Sequence, residues 1–379
     1  MLEYLLGVLL IILSILYITR SAWKKTVKSA PNEDKSVRKS DPVLFVAPCP
    51  DPYPDWSIET TRPLPYRPFK YGPDFFVTMG IGRLDWNDWI ELDNEWIRYH
   101  NEKLSRLFDE HAFLRCRTAP EAYDAALETM ELLSEYLVHR YPSLFEYQFD
   151  HNDKNKKQIR IKATNEIYPI RSEDPLKYAS LLIEDDLALM IEGSDEQYYL
   201  KAGSIVLPGF WRLEDKFNMS LAQIHLSGKV PQYKEKLEQS MERFFQKMTP
   251  ENPVVRHNYG IQTDNNLAWA SSIGPEETYG VVSHTDERTL TIEDLYFRCE
   301  RQTLRRLPRS RAILFTIRPY FHPIREIVQE TGVPGRLASA IRSWPDDVAQ
   351  HRGKSRYADI LLKYLDEKHQ QQLDQAQFS

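Results

Sequence analysis

The chain has 379 residues, 42% hydrophobic and 27% charged, the composition of a soluble globular protein with a core. Its three cysteines, Cys49, Cys116 and Cys299, are too few and scattered for a disulfide framework, and with no CxxC pair they read as reduced cytosolic thiols rather than zinc ligands. The net charge of −6 conceals a basic stretch over residues 20–40 and an acidic body beyond it, which argues against a nucleic-acid-binding surface.

Residues 2–19, "LEYLLGVLLIILSILYIT", carry no charge from Tyr4 to Thr19. The run is slightly shorter than the roughly 20 residues that span a bilayer core, which suits a thin membrane such as the endoplasmic reticulum. Positive charge follows it instead of preceding it, and no A-x-A site comes after, so it reads as an uncleaved transmembrane anchor over 1–19. The positive-inside rule then keeps "RSAWKK" and the body on the cytosolic side. Residues 20–60 read as a tether, basic and then Pro-rich, residues 61–365 as one domain, and residues 366–379 as a polar tail.

Within the domain, "TAPEAYDAALETMELLSEYLVHRYP" predicts a helix opened by a capping box of Thr118 with Glu121, with Ala126, Met130, Leu133 and Leu137 on its buried stripe. Asp174-Pro175 predicts a second helix start. "LALMIEG" and "QYYLKAGSIVLPGFW" flank Gly193-Ser194-Asp195 and predict a hairpin. After Pro231, Tyr233, Leu237, Met241, Phe244, Phe245 and Met248 fall on one helical face that Pro250 ends. "RHNYGIQT", "NLAWASSI" and "RAILFTIRPYF" predict strands. Helices and strands mix without strict βαβ alternation, so the fold class is α+β with an antiparallel sheet and packed helices.

No Walker loop, dinucleotide glycine fingerprint, G-x-S-x-G elbow or H-E-x-x-H is present. His284-Thr285-Asp286 has the H-x-D half of a non-haem iron triad, with His322 as a third donor, though its polar surround favours a solvated loop. Cys299 lacks the glycine-rich surround of a thiolate haem ligand and reads as a buried structural thiol. His225 lies between two helical stretches, either as an ordinary turn histidine or as a ligand. Residues 298–318, "RCERQTLRRLPRSRAILFTIR", concentrate arginines either for recognition of carboxylate or phosphate or as a solvated helix face with internal Glu–Arg pairs.

The motifs "MGIGRLDWNDWIELD", "HRYPSLF", "EDDLALM", "LPGFWRLEDKF", "IHLSGKVPQY", "RHNY", "ERQTLRRLP" and "FTIRPY", in this order, resemble the haem-dependent oxidative N-demethylase α-subunit-like family over about residues 60–345. The tail "GRLASAIRSWPDDVA" is similar to fungal members. The resemblance implies a PAS-like domain turned to catalysis, which binds haem b and oxidatively demethylates an amine with electrons from a separate flavin and iron–sulfur reductase. It implies a small-molecule substrate, either an amine or a fungal secondary metabolite. The alternatives are a non-catalytic haem- or ligand-binding PAS-like module and a non-haem iron oxygenase through His284, Asp286 and His322. By motif position it makes His225 the proximal iron ligand. Arg256, Arg305, Arg306 and Arg318 become candidates for the haem propionates or an acidic substrate, and Trp211, Tyr259 and Phe315 for the pocket wall. Against the bacterial pattern, "LSGK" intervenes before Val230-Pro231, and Tyr259 stands where tryptophan is usual.

Overall fold

The computed structural model describes residues 45–150, 153–278 and 289–377. The anchor expected over 1–19 and the basic part of the tether lie outside the described residues. Among the described residues no helix is long and apolar enough to cross a membrane.

In chain order the strands are β1 (Gly82–Arg83), β2 (Cys116–Thr118), β3 (Phe145–Phe149), β4 (Lys157–Ile161), β5 (Ile167–Pro169), β6 (Asp186–Glu192), β7 (Tyr198–Ser204), β8 (Val254–Gln262), β9 (Tyr296–Arg306) and β10 (Ile313–Pro323). Seven make the main sheet, in the order β1-β8-β9-β10-β6-β7-β2, and β3-β4-β5 make a small one. Every pairing is antiparallel, so the α+β class holds. The expected hairpin is β6–β7. At the centre, β9 and β10 pair along their whole length, from Arg306 opposite Ile313 to Tyr296 opposite Pro323.

Because side chains alternate across a strand, this register sorts the sheet into two faces. On one, Leu187, Leu189, Ala202 and Leu314 pack with α1 (Trp96–Leu107), α2 (Tyr123–Arg140) and α3 (Pro175–Leu182). Further along this α1 face, Phe297, Cys299 and Tyr320 join a separate cluster that includes later helical residues such as Leu337 and Leu361. On the other, Ala188, Met190, Leu304 and Ile313 are covered by α4 (Leu221–Ser227) and α5 (Glu238–Lys247).

Helix α2 buries its expected stripe of Ala126, Met130, Leu133 and Leu137. It begins at Tyr123, however, without the capping box: Thr118 pairs with Ala202 in β2–β7, and Glu121 pairs with Lys201 at 3.0 Å. Asp174 caps α3 as expected, its Oδ1 accepting from the Lys177 N–H, with Pro175 in the first turn. "NLAWASSI" is not a strand. Trp269 makes a single bridge to Gly209 and the chain then forms a 3-10 turn at Ser271–Ile273.

Residues 45–60, expected as free tether, are extended but docked. Trp56 is buried, donates its indole N–H to the Leu92 carbonyl at 2.7 Å and packs edge-on against Tyr141. Residues 366–377, expected as tail, continue the helix Ala358–Gln377, and the Gln372 amide holds the Val328 and Glu330 carbonyls.

The "ERQTLRRLP" segment is the largest correction. It is strand β9, and its arginines are buried rather than solvated on a helix. On the α1 face Arg301 donates to the Asp88 and Trp89 carbonyls and pairs with Glu91, while Arg318 binds Asp93, Glu184 and the Glu91 carbonyl. Glu91 also accepts from the Tyr66 and Tyr320 hydroxyls, at 2.5 and 2.7 Å.

Since breaking a buried ion pair strands the partner charge, Arg318→Ala should lower the unfolding free energy by about 3–5 kcal/mol; urea denaturation measures it. Burial also pushes His257 and His322 down to about 4 from 6.5. Their folded pKa lies below the unfolded value, so their stabilisation is complete above pH 6.5 and is lost as pH falls toward 4. Urea midpoints should drop between pH 7 and pH 5, and drop less in His322→Gln.

Candidate functional site

Helix α4 starts with a full capping box: Ser220 Oγ accepts from the Gln223 N–H, and the Gln223 side-chain Oε1 accepts from the Ser220 N–H at 2.8 Å. A bridge from Tyr199 to Ser220 and the Leu200 N–H to Met219 carbonyl bond tie it to β7. Within this helix, and not on a turn, sits His225. Its Nδ1 lies 2.7 Å from the Leu221 carbonyl. A carbonyl only accepts, so Nδ1 carries the proton and the lone pair of the neutral ring is on Nε2. The ring lies flat on Tyr233, centroids 4.6 Å apart and planes 8° from parallel. Burial lowers its pKa first of all; the Leu221 carbonyl opposes, and the Arg256 and Lys216 cations add to the lowering. The imidazole is therefore held neutral.

The chain reverses after α4 with Lys229 at φ 50° and Gln232 at φ 55°, both left-handed. Gly228, expected to serve the turn, has an ordinary φ of −77°, so its freedom is unused. The "LSGK" insertion thus puts a lysine where glycine would be relaxed. Tyr233, against which His225 stacks, opens a π-helical stretch, Tyr233–Leu237, that leads into α5. Left-handed non-glycine residues and π-helical turns both concentrate at functional sites.

On the α4 face the sheet register places Arg256, Gln302 and Ile317 in one transverse row, with Asn258, Glu300 and Pro319 in the next. Glu300 is held by Arg298 Nε at 3.2 Å, Gln302 Nε2 at 3.0 Å and Asn258 Nδ2 at 3.5 Å. Arg256 is partly buried, its Nε sealed from solvent, and it makes no hydrogen bond or ion pair among the described residues; Gln302 Oε1 is likewise buried without a partner. Trp211 and Phe315 pack against the same apolar cluster as Leu221 and Tyr233. Strand parity, the shared apolar cluster and the Tyr233 stack place His225, Arg256, Trp211 and Phe315 on one side of the sheet.

The other expected residues face α1 or are already engaged. Arg305 and Arg318 face α1: Arg305 is sandwiched by Trp86 and Trp89, 4.9 and 4.3 Å from the ring centroids, and burial lowers its pKa to about 10. Arg306 is on the α4 side but consumed, donating to Tyr198 Oη, the Phe245 carbonyl and the Arg311 carbonyl. Tyr259 faces the α1 side, packed with Phe69, Phe297 and Trp344. The strand period separates Arg305, Arg318 and Tyr259 from residues one position away.

Cys299 is fully buried opposite Tyr320, and burial holds its thiol protonated, as a structural thiol requires. His284 and Asp286 lie outside the described residues. His322 stacks parallel to Tyr320, and among the described residues no group of three His, Cys, Asp or Glu side chains could hold a metal ion. Two cavities, of about 300 Å³ beside Arg115 and Arg212 and about 450 Å³ beside Tyr71 and His369, are lined by neither His225 nor Arg256.

Sequence reasoning passed over Asn258 and Gly209. The Arg298 guanidinium occupies the space a Cβ at Gly209 would need, 2.4 Å from Nη1, and Gly209 has φ 76°. The glycine in "LPGFW" was the only visible signal. Replacing Lys229 with glycine should relieve the left-handed strain and raise stability by about 0.5–1 kcal/mol, read as a shift in urea midpoint with unchanged slope.

A family model described as haem-dependent oxidative N-demethylase, alpha subunit-like, matches residues 80–362. The match takes in α4, the whole β8–β9–β10 core and both faces of the sheet, and since it extends over most of the chain, the protein belongs to the haem-dependent oxidative N-demethylase alpha-subunit-like family.

Proposed function

We propose that this protein is a haem-dependent oxidoreductase that demethylates or otherwise oxidises a small amine, with haem b ligated by His225. The observation that carries the reading is the tautomer. A histidine that would hold haem iron needs a neutral ring, a free nitrogen and an acceptor for the proton on the other nitrogen. His225 has all three: burial keeps it neutral, the Leu221 carbonyl takes Nδ1–H, and Nε2 has no hydrogen-bond partner among the described residues. The donor chemistry fits the group that the family's name specifies.

When bound, haem supplies the redox and oxygen chemistry that side chains lack. The chain's own part is orientation and exclusion of water. The Leu221 carbonyl and the flat Tyr233 contact restrain rotation of the His225 ring. Trp211 and Phe315 supply apolar wall on the same side of the sheet. Arg305, Arg306 and Arg318 already have internal partners and are assigned structural roles. Electrons are proposed to come from a separate reductase, and the substrate to be an amine or a secondary metabolite carrying one. The PAS-like scaffold, a fungal lineage, the single-pass N-terminal anchor and an endoplasmic-reticulum location with the body in the cytosol belong to the same proposal, the last two supported by the apolar run before "RSAWKK".

The test is the absorption spectrum of the purified full-length chain with haem. Wild type should show a Soret band at one haem per chain, His225→Ala should lose it, and His225→Gly should regain it with added imidazole. A Soret band unchanged in His225→Ala overturns the ligand assignment. Formaldehyde release with NADPH and a reductase then tests turnover; haem binding without release from any methylated amine supports the non-catalytic module instead.

A further inference from the structure

Six arginines stand in the three central strands β8, β9 and β10: Arg256, Arg298, Arg301, Arg305, Arg306 and Arg318. A guanidinium does not lose its proton inside a protein, so burial without an acceptor is costly. Five have evident compensation. Arg298 donates to Gln262 Oε1, the Leu207 and Pro208 carbonyls and Glu300. Arg301, Arg306 and Arg318 meet carbonyls, a phenol and carboxylates, and Arg305 lies between two indoles.

Arg256 has no such partner, although acceptors are near. Glu300 sits diagonally across the β8–β9 register and attracts it, but both carboxylate oxygens are engaged by Arg298, Gln302 and Asn258. Arg352, which donates to the Tyr259 carbonyl and Asn258 Oδ1, adds a second cation nearby. Beside Arg256 in the register lies Gln302, whose Oε1 is an equally unpartnered acceptor. Two residues beyond Asn258 on the same face, a Cβ at Gly260 would meet nothing within 4 Å, so this side of β8 is open. Arg256 is also one of the two cations whose charge reaches His225.

We propose that Arg256 is a carboxylate anchor in the His225 site, binding a propionate of the haem or the carboxylate of an amino-acid-like amine. This rests on the haem reading above. A fork of N–H donors matches one carboxylate bidentately. Glu300 beside it already supplies part of the compensating charge, which disfavours a dianion such as phosphate. Gln302 Oε1 provides the complementary acceptor for an N–H on the same ligand. An unmatched donor next to an unmatched acceptor is the arrangement that a ligand carrying both an acid and an amine would complete.

The experiment uses the full-length chain as wild type, Arg256→Gln and Arg256→Lys. One arm titrates haem and haem dimethyl ester by Soret growth. The other titrates N-methylalanine and its methyl ester by calorimetry into the haem-loaded chain. If the propionate is the ligand, Arg256→Gln weakens haem about tenfold or more and leaves the dimethyl ester unchanged. If the substrate is, the same variant keeps haem affinity and loses about tenfold or more for N-methylalanine but not for its ester. Arg256→Lys, which keeps the charge, should retain part of the binding in the affected arm. Acid and ester affected equally, or neither affected in both arms, overturns the anchor. A wild type that takes up no haem overturns the haem reading instead, and the acid–ester comparison on the unloaded chain still reads Arg256.

Discussion

An arginine carried into a β-sheet keeps its charge, and the architecture of this protein follows from compensating five of the six that its central strands carry. Around Arg318 the answer is ionic: Glu184 and Asp93 converge on it from either side of α1, and Glu91 adds its carbonyl. Around Arg305 the answer is aromatic, from Trp86 and Trp89. These partners come from segments more than 130 residues away in sequence, so the segment 84–93 and Glu184 are pinned to the sheet by charge before their apolar contacts are counted. Lys103 extends the layer, donating to the Ser180, Ile183 and Asp185 carbonyls, and burial lowers its pKa to about 8.

That layer fills the α1 side with buried charged and polar groups and leaves the α4 side for a different kind of chemistry. There the sheet is lined by Phe315 and Ile317, roofed by α4 and the π-helical turn, and provided with one neutral histidine and one unmatched cation. Division of labour between faces explains why a cluster that looks uniform in sequence acts in two ways. Arg305 and Arg306 are adjacent, yet one stacks on indoles above the sheet and the other caps a helix carbonyl below it.

Local features were legible in the sequence: the Asp174-Pro175 helix start, the β6–β7 hairpin, the buried stripe of α2 and the apolar face after Pro231. Features that depend on distant partners were not. "ERQTLRRLP" has the charge density of a solvated surface, and nothing within it announces that Asp88, Glu91 and Trp89 lie ready to receive it. Thr118 and Glu121 have the spacing of a capping box, but β7 competes for both, through Ala202 and Lys201. Of the residues expected at the site, His225, Arg256, Trp211 and Phe315 converge; Tyr259, Arg305 and Arg318 are excluded by strand parity, which depends on a register that only the folded sheet fixes.

The β9–β10 turn closes with the Leu307 N–H on the Ala312 carbonyl and places Arg311 at φ 63°. A one-residue slip of β10 against β9 would turn Arg318 toward the apolar side and Phe315 into the ionic layer. The turn, together with the β6 ladder on the other edge of β10, thus keeps the reading frame of the sheet, the parity on which both the core and the site depend.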